Sequence, residues 1–137
     1  KNFSNLLRDA KDEKKTSWLS PPFYTDRYGY KVCAKMVPNG DGLGLGTHIS
    51  LKIVVMRGNF DAILHWPFKK KIQFTILDQA AAPKHISAGF IADKNSESVQ
   101  RPTSEMNLAS GYQRFISHEL LFDERCRYLQ DDTIFFK

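Results

Sequence analysis

Hydrophobic and polar residues alternate most regularly between Tyr24 and Met56, and the rest of the chain is arranged around that stretch. Tyr30, Val32, Ala34 and Met36 share one face, while Lys31, Cys33, Lys35 and Val37 take the other. Ile49, Leu51, Ile53 and Val55 then alternate with Ser50, Lys52 and Val54. A period of two over such lengths predicts two strands, each with one buried face. They are joined by Pro38-Asn39-Gly40-Asp41-Gly42-Leu43-Gly44-Leu45-Gly46. Its Asn-Gly and Asp-Gly pairs supply left-handed backbone for an antiparallel connection, although the stretch is too long for a tight hairpin turn.

The flanking chain reads in the same way. Lys1 to Thr16 predicts a short amphipathic helix or turn, with Phe3, Leu6 and Leu7 inward and a solvated run of charges outward. Ser20-Pro21-Pro22 forces an extended lead-in, because residues before proline avoid the helical region. Phe23 and Tyr24 begin the sheet, and Arg27-Tyr28-Gly29 marks a turn or bulge. Phe60, Ile63, Leu64 and Trp66 are spaced for a helical turn on the core. Ile72, Phe74 and Ile76 alternate as a strand, His85 to Phe90 is a short strand, and Asp93 to Thr103 is a polar loop. Tyr112 to Ile116, a helical turn from Glu119 to Asp123 beginning after Ser117, and a final strand around Thr133 to Phe136 complete the series. Short strands separated by turn signals, without a long helix, predict an all-β antiparallel sandwich.

At 137 residues the chain supports one core and one domain, spanning 1–137. No apolar run approaches the ~20 residues of a membrane-spanning helix, and Lys1 to Thr16 lacks the apolar centre of a signal peptide. Cys33 and Cys126 are too few for a disulfide framework, which favours reduced thiols and a cytoplasmic setting. The net charge of +5 suits acidic partners. Candidate chemistry is sparse. His48, His65, His85 and His118 lie far apart with no metal-ligand spacing, and the Gly40 to Gly46 stretch lacks the Lys-Ser/Thr ending of a phosphate loop. The expectation is therefore no enzyme, no metal and no cofactor. Nucleic acid is not an expected partner, since the basic residues follow no known nucleic-acid module.

What remains is recognition through backbone. A sandwich has edge strands whose unpaired N–H and C=O groups can receive an extended peptide. Leu108-Ala109-Ser110-Gly111 suits that role because small side chains let a second backbone approach, although the same residues also fit a glycine-marked turn.

Several blocks carry a resemblance. Ser20-Pro21-Pro22-Phe23-Tyr24-Thr25-Asp26-Arg27-Tyr28-Gly29-Tyr30-Lys31-Val32-Cys33, Asn39-Gly40-Asp41-Gly42 and Gly46-Thr47-His48-Ile49-Ser50-Leu51 come first. Trp66-Pro67-Phe68, Leu77-Asp78-Gln79, Gln100-Arg101-Pro102, Asn107-Leu108-Ala109-Ser110-Gly111 and Asp131-Asp132-Thr133-Ile134-Phe135 follow in order. Together they cover almost the whole chain, which resembles the C-terminal (MATH, or TRAF-C) domain of the TNF-receptor-associated factors, the TRAF family. The resemblance implies an eight-stranded antiparallel TRAF/MATH β-sandwich, with the first strand falling before Lys1 and the last strand clipped. It also implies a fragment of a longer protein with an upstream coiled coil and RING or zinc fingers. Any ubiquitin-ligase activity would reside in that RING.

In function, the resemblance implies a cytoplasmic signalling adaptor recruited to membrane receptors, trimeric in the full protein. It would bind the tails of TNF-receptor-type receptors and adaptors in pathways such as apoptosis and innate immunity. By the matching positions, Ala109, Ser110 and Gly111 give main-chain hydrogen bonds to the peptide, and Phe74 and Phe90 form an apolar floor. Ser96, Glu97 and Ser98 stand at a serine cluster, with glutamate replacing the middle serine and Val99 replacing a phenylalanine. Lys35 stands for an arginine, Val37 for a tyrosine and Lys52 for a phenylalanine, with Asp41 as the loop aspartate beside them. Lysine keeps charge without the planar fork, and valine has no hydroxyl. These departures fall on the recognition face and imply an acidic peptide with altered preferences. Two alternatives stand beside this reading: an anionic phospholipid module using Lys31, Lys35, Lys52 and Lys69 to Lys71, and the substrate-recruiting MATH domain of a ubiquitin-ligase adaptor.

Overall fold

Helical and alternating periodicities become helix and strand in the order α1 (Phe3–Lys11), β1 (Trp18–Leu19), β2 (Phe23–Tyr24), β3 (Lys31–Val37), β4 (His48–Met56), β5 (Ile72–Ile76), β6 (Ile86–Phe90), β7 (Ser110–Ser117) and α2 (His118–Leu121). The computed structural model describes residues 3–13, 15–77, 79, 85–91, 93–123 and 128–129. Cys126 and the strand expected around Thr133 to Phe136 lie outside those residues.

The predicted pair is the centre of the main sheet. β3 and β4 run antiparallel from Lys31 opposite Met56 to Val37 opposite Ser50. β7 joins the far side of β4, while β1 and β2 both pair with β3, so the order is β1-β3-β4-β7 with β2 beside β3. β5 and β6 form a second antiparallel sheet. Val32, Ile49, Leu51, Ile53 and Val55 from the first sheet share one core with Phe68, Ile72, Phe74, Ile76 and Val99. Full burial of each large aliphatic side chain contributes roughly 1.5–3 kcal/mol. α1 turns Phe3 and Leu7 into the same core, with Ala10 also buried, as its apolar spacing predicts. Leu6 is only half-buried.

The helical turn after Phe60 is a single 3-10 turn at Asp61–Ile63. Trp66 packs edge-on against Tyr30 at 5.1 Å, and its indole N–H donates to the Asp61 carbonyl at 2.9 Å. The Tyr30 hydroxyl in turn donates to the His65 carbonyl. α2 begins after Ser117, as expected, and the Ser117 Oγ caps it by accepting from the Leu120 N–H at 3.1 Å.

Two features depart from the alternation. Trp18–Leu19, unmarked in the sequence pattern, pairs with Met36 and Lys35 as a two-residue strand. The second face of the main sheet is also not wholly solvated: Cys33, Val54 and Met56 form a small buried cluster under Met106 and Ala109. The segment leading into β7 runs antiparallel beside the end of β4, with Met106 opposite Met56, the Arg57 N–H donating to the Glu105 carbonyl and the Asn107 N–H to the Val55 carbonyl, both at 2.9 Å.

Candidate functional site

β7 is the last strand of the main sheet among the described residues, so one of its edges has no strand beside it. Opposite β4, Gly111 lies level with Lys52, and Lys52 lies level with Lys35 on β3. These three residues make one row across the outer face. At Gly111 a β-carbon would stand 2.6 Å from the Leu51 carbonyl oxygen and 2.7 Å from the Lys52 Cα. Glycine is therefore demanded here by the fold itself, and it leaves the neighbouring edge low. Ala109, Ser110 and Gly111 border a groove of about 490 Å³ together with Lys52, Leu43, Tyr112, Gln113 and Arg114.

The glycine-rich stretch forms the groove's far wall. Between Ile49 and Leu51 the β4–β7 register shifts, and Ser50 sits in the irregularity, fully buried. Its Oγ donates to the Gln113 carbonyl at 2.8 Å and accepts the Asp41 N–H at 2.9 Å, pinning loop to strand. The Gln113 side-chain oxygen accepts the Leu43 N–H at 3.2 Å, and Arg114 Nε donates to the Leu43 carbonyl at 3.0 Å. A β-carbon on Gly44 would lie 1.9 Å from the Gln113 carbonyl oxygen, so only glycine permits this approach. Beyond the loop, His118 Nε2 lies 2.7 Å from the Pro38 carbonyl oxygen. On the other side, Tyr112 donates to the Gly89 carbonyl at 2.8 Å and meets Phe90 edge-on at 5.3 Å, joining the two sheets.

The expected binding residues are distributed unevenly. Lys52, Ala109, Ser110 and Gly111 meet in the groove. Lys52 Nζ is bonded to Asp41 Oδ2 at 2.6 Å, so its charge is balanced within the domain. Lys35 is half-buried in the next strand, and Val37 is buried. Phe74 is a core residue 6.3 Å from Phe115, whereas Phe90 is half-buried. Ser96 caps the short turn Glu97–Val99 by accepting the Ser98 N–H at 3.2 Å; Glu97 is exposed, and Ser98 and Val99 are buried. The Val99 carbonyl accepts the Phe68 N–H at 2.7 Å.

Leu43, Tyr112, Gln113 and Arg114 were missed by sequence reasoning. The loop contact that brings them to the groove joins positions about seventy residues apart. The available signal was Arg114, a cation on a strand next to the small-residue block.

Burial pushes the Cys33 thiol and the Tyr30 phenol above their ordinary pKa values. Among the described residues no group of three or more His, Cys, Asp or Glu is placed to hold a metal ion. No helix among them is long and apolar enough to cross a membrane. A larger, mostly apolar cleft of about 830 Å³ lies between Trp18, Phe23 and Met36 on one side and Ile72 and Phe74 on the other.

Fold and site together define an antiparallel two-sheet domain whose distinguishing chemistry is an open strand edge flanked by cations. The family described as TRAF/meprin, MATH domain matches residues 15–137. The chain is 49% identical over 130 residues to TNF receptor-associated factor 5 of Mus musculus, covering 95% of this chain and 23% of that protein. It is 48% identical over 136 residues to human TNF receptor-associated factor 1, covering 99% of this chain and 32% of the relative. TRAF5 of Notothenia coriiceps superposes with a TM-score of 0.92 at 39% identity, covering 99% of this chain and 67% of that one. The chain belongs to the TRAF/meprin MATH-domain family. It spans between about a quarter and a third of the length of these two curated relatives.

Proposed function

We propose that this domain is a cytoplasmic adaptor module that takes an extended peptide along the free edge of β7, extending the main sheet by one strand. The observation that carries this reading is the groove in which Ala109, Ser110 and Gly111 present a low backbone edge beside Leu43 and Arg114. The ligands are the tails of TNF-type receptors and their adaptors, a partner class taken from the relatives' name, TNF receptor-associated factor. Ser96 and Phe90 contact peptide side chains, and the cations of the outer face draw acidic residues. A single sheet-edge contact of this size binds weakly, so trimeric presentation by the full protein supplies avidity.

Short peptides tiling such receptor tails, arrayed and probed with the domain, should select a few sequences; the tightest then enters a fluorescence-anisotropy titration. Saturable binding is expected, with slowed hydrogen exchange at β7 amides. The same peptide carrying backbone N-methyl groups should not bind, because methylation removes the strand-pairing donors without altering the protein. Equal affinity of the methylated peptide, or no selected peptide at all, overturns the reading. Anionic vesicles in parallel address the lipid alternative, which loses one of its lysines to the Lys52–Asp41 pair.

A further inference from the structure

The geometry points to Arg114 as the residue that selects a carboxylate in the peptide, a role that rests on the β7-edge reading above. Three cations approach the outer face near the groove: Lys35, Lys52 and Arg114. Lys52 is neutralised by Asp41 at 2.6 Å. Lys35 is on β3, two strands from β7, and strands lie about 4.8 Å apart, so an edge-paired peptide would run roughly 14 Å from its backbone. Arg114 is on β7 itself and lines the groove. Its Nε is committed to the Leu43 carbonyl at 3.0 Å. Its two terminal nitrogens have no partner among the described residues and the side chain is exposed, so the guanidinium is held by its base with its end-on fork open. That fork matches the two oxygens of a carboxylate.

The register places the subsite. Gly111 is level with Lys52, and Tyr112 with Leu51; Arg114 follows in the irregularity around Ser50, which itself is opposite Val37. Arg114 lies in the irregular stretch between Tyr112 and Ile116, and it supplies the groove with a cation that Val37, buried two strands away, cannot. Leu43, highly exposed at the same wall, adds an apolar surface beside it. The preferred ligand is an extended peptide with an aspartate or glutamate at the register of Arg114 and an apolar neighbour that rests on Leu43.

The test is a double-mutant cycle on the tightest array-selected peptide. Wild type, Arg114→Gln, Arg114→Lys and Lys35→Gln are titrated with that peptide and with versions in which each acidic residue becomes its amide. One acidic position should cost about tenfold on wild type and nothing further on Arg114→Gln, which itself should bind the parent peptide about tenfold more weakly. Arg114→Lys should recover part of that loss. Thermal melts matching wild type show that the variants remain folded. If wild type binds the peptide and Arg114→Gln binds it within about twofold as well, the arginine assignment falls while the edge reading stands. A tightest peptide with no acidic residue has the same meaning. If wild type binds no peptide, both readings fall together.

Discussion

On the inner face of the main sheet, Val32, Ile49 and Val55 are sealed by apolar side chains of the second sheet. On the outer face the same strands meet two different covers. Toward Cys33, Val54 and Met56 the cover is apolar, made by Met106 and Ala109. Toward Ser50 and Lys52 it is the glycine-rich loop, joined through Asp41, Ser50 and Gln113 by hydrogen bonds and an ion pair. Apolar packing needs only matching shape and hydrophobicity, whereas the polar cover needs each donor to find its acceptor. The groove lies against the polar cover, where backbone and charge come to the surface together.

The largest effect that sharpens this contrast is on the inner face. Ile49→Ala removes a fully buried side chain and should cost about 2–5 kcal/mol in a urea unfolding titration. On the polar cover, Ser50→Ala leaves the Gln113 carbonyl and the Asp41 N–H without their partner. A loss of about 1–3 kcal/mol is expected, with faster hydrogen exchange at Asp41. A loss as large as that for Ile49→Ala would show that the polar cover contributes as much as the inner apolar face.

The smallest effect belongs to the apolar end of the outer face, and it appears only in alkali. Burial raises the folded-state pKa of Cys33, so the folded protein keeps its thiol proton where the unfolded chain has lost it. The stabilisation is complete below the unfolded thiol pKa of about 8.5 and is lost as pH rises toward and through the higher folded value. Stability measured across that range should fall less steeply in Cys33→Ala, and the native thiol should resist a thiol reagent that labels the unfolded chain. Rapid labelling at Cys33 in the folded protein, mapped by peptide mass spectrometry to separate it from Cys126, would mean that Met106 and Ala109 do not close this end.

The strands most visible in the sequence were those with a single rule to obey. β3 and β4 alternate because their inner face is buried along its length, and α2 begins after Ser117 because a hydroxyl there can cap it. β1 leaves no mark in the sequence because two residues carry no period; Trp18–Leu19 is a strand only because β3 lies beside it. In the site, the small-residue block at Ala109, Ser110 and Gly111 was legible as a place for backbone approach. The demand for glycine at 111 has a further source in Leu51 and Lys52, which only the register brings close.

By itself, the sequence determined short antiparallel strands around a central pair and a block of small residues, because these follow from local periodicity and steric size; the family is carried by the resemblance of its ordered motif blocks. Tertiary structure alone decided which cations remain available there. Lys35, Lys52 and Arg114 are equivalent as letters. The loop that folds onto β4 and β7 gives Lys52 an aspartate and gives Arg114 only a carbonyl. Charge becomes a binding feature when its partners are assigned in space, and those partners are supplied by chain segments remote in sequence.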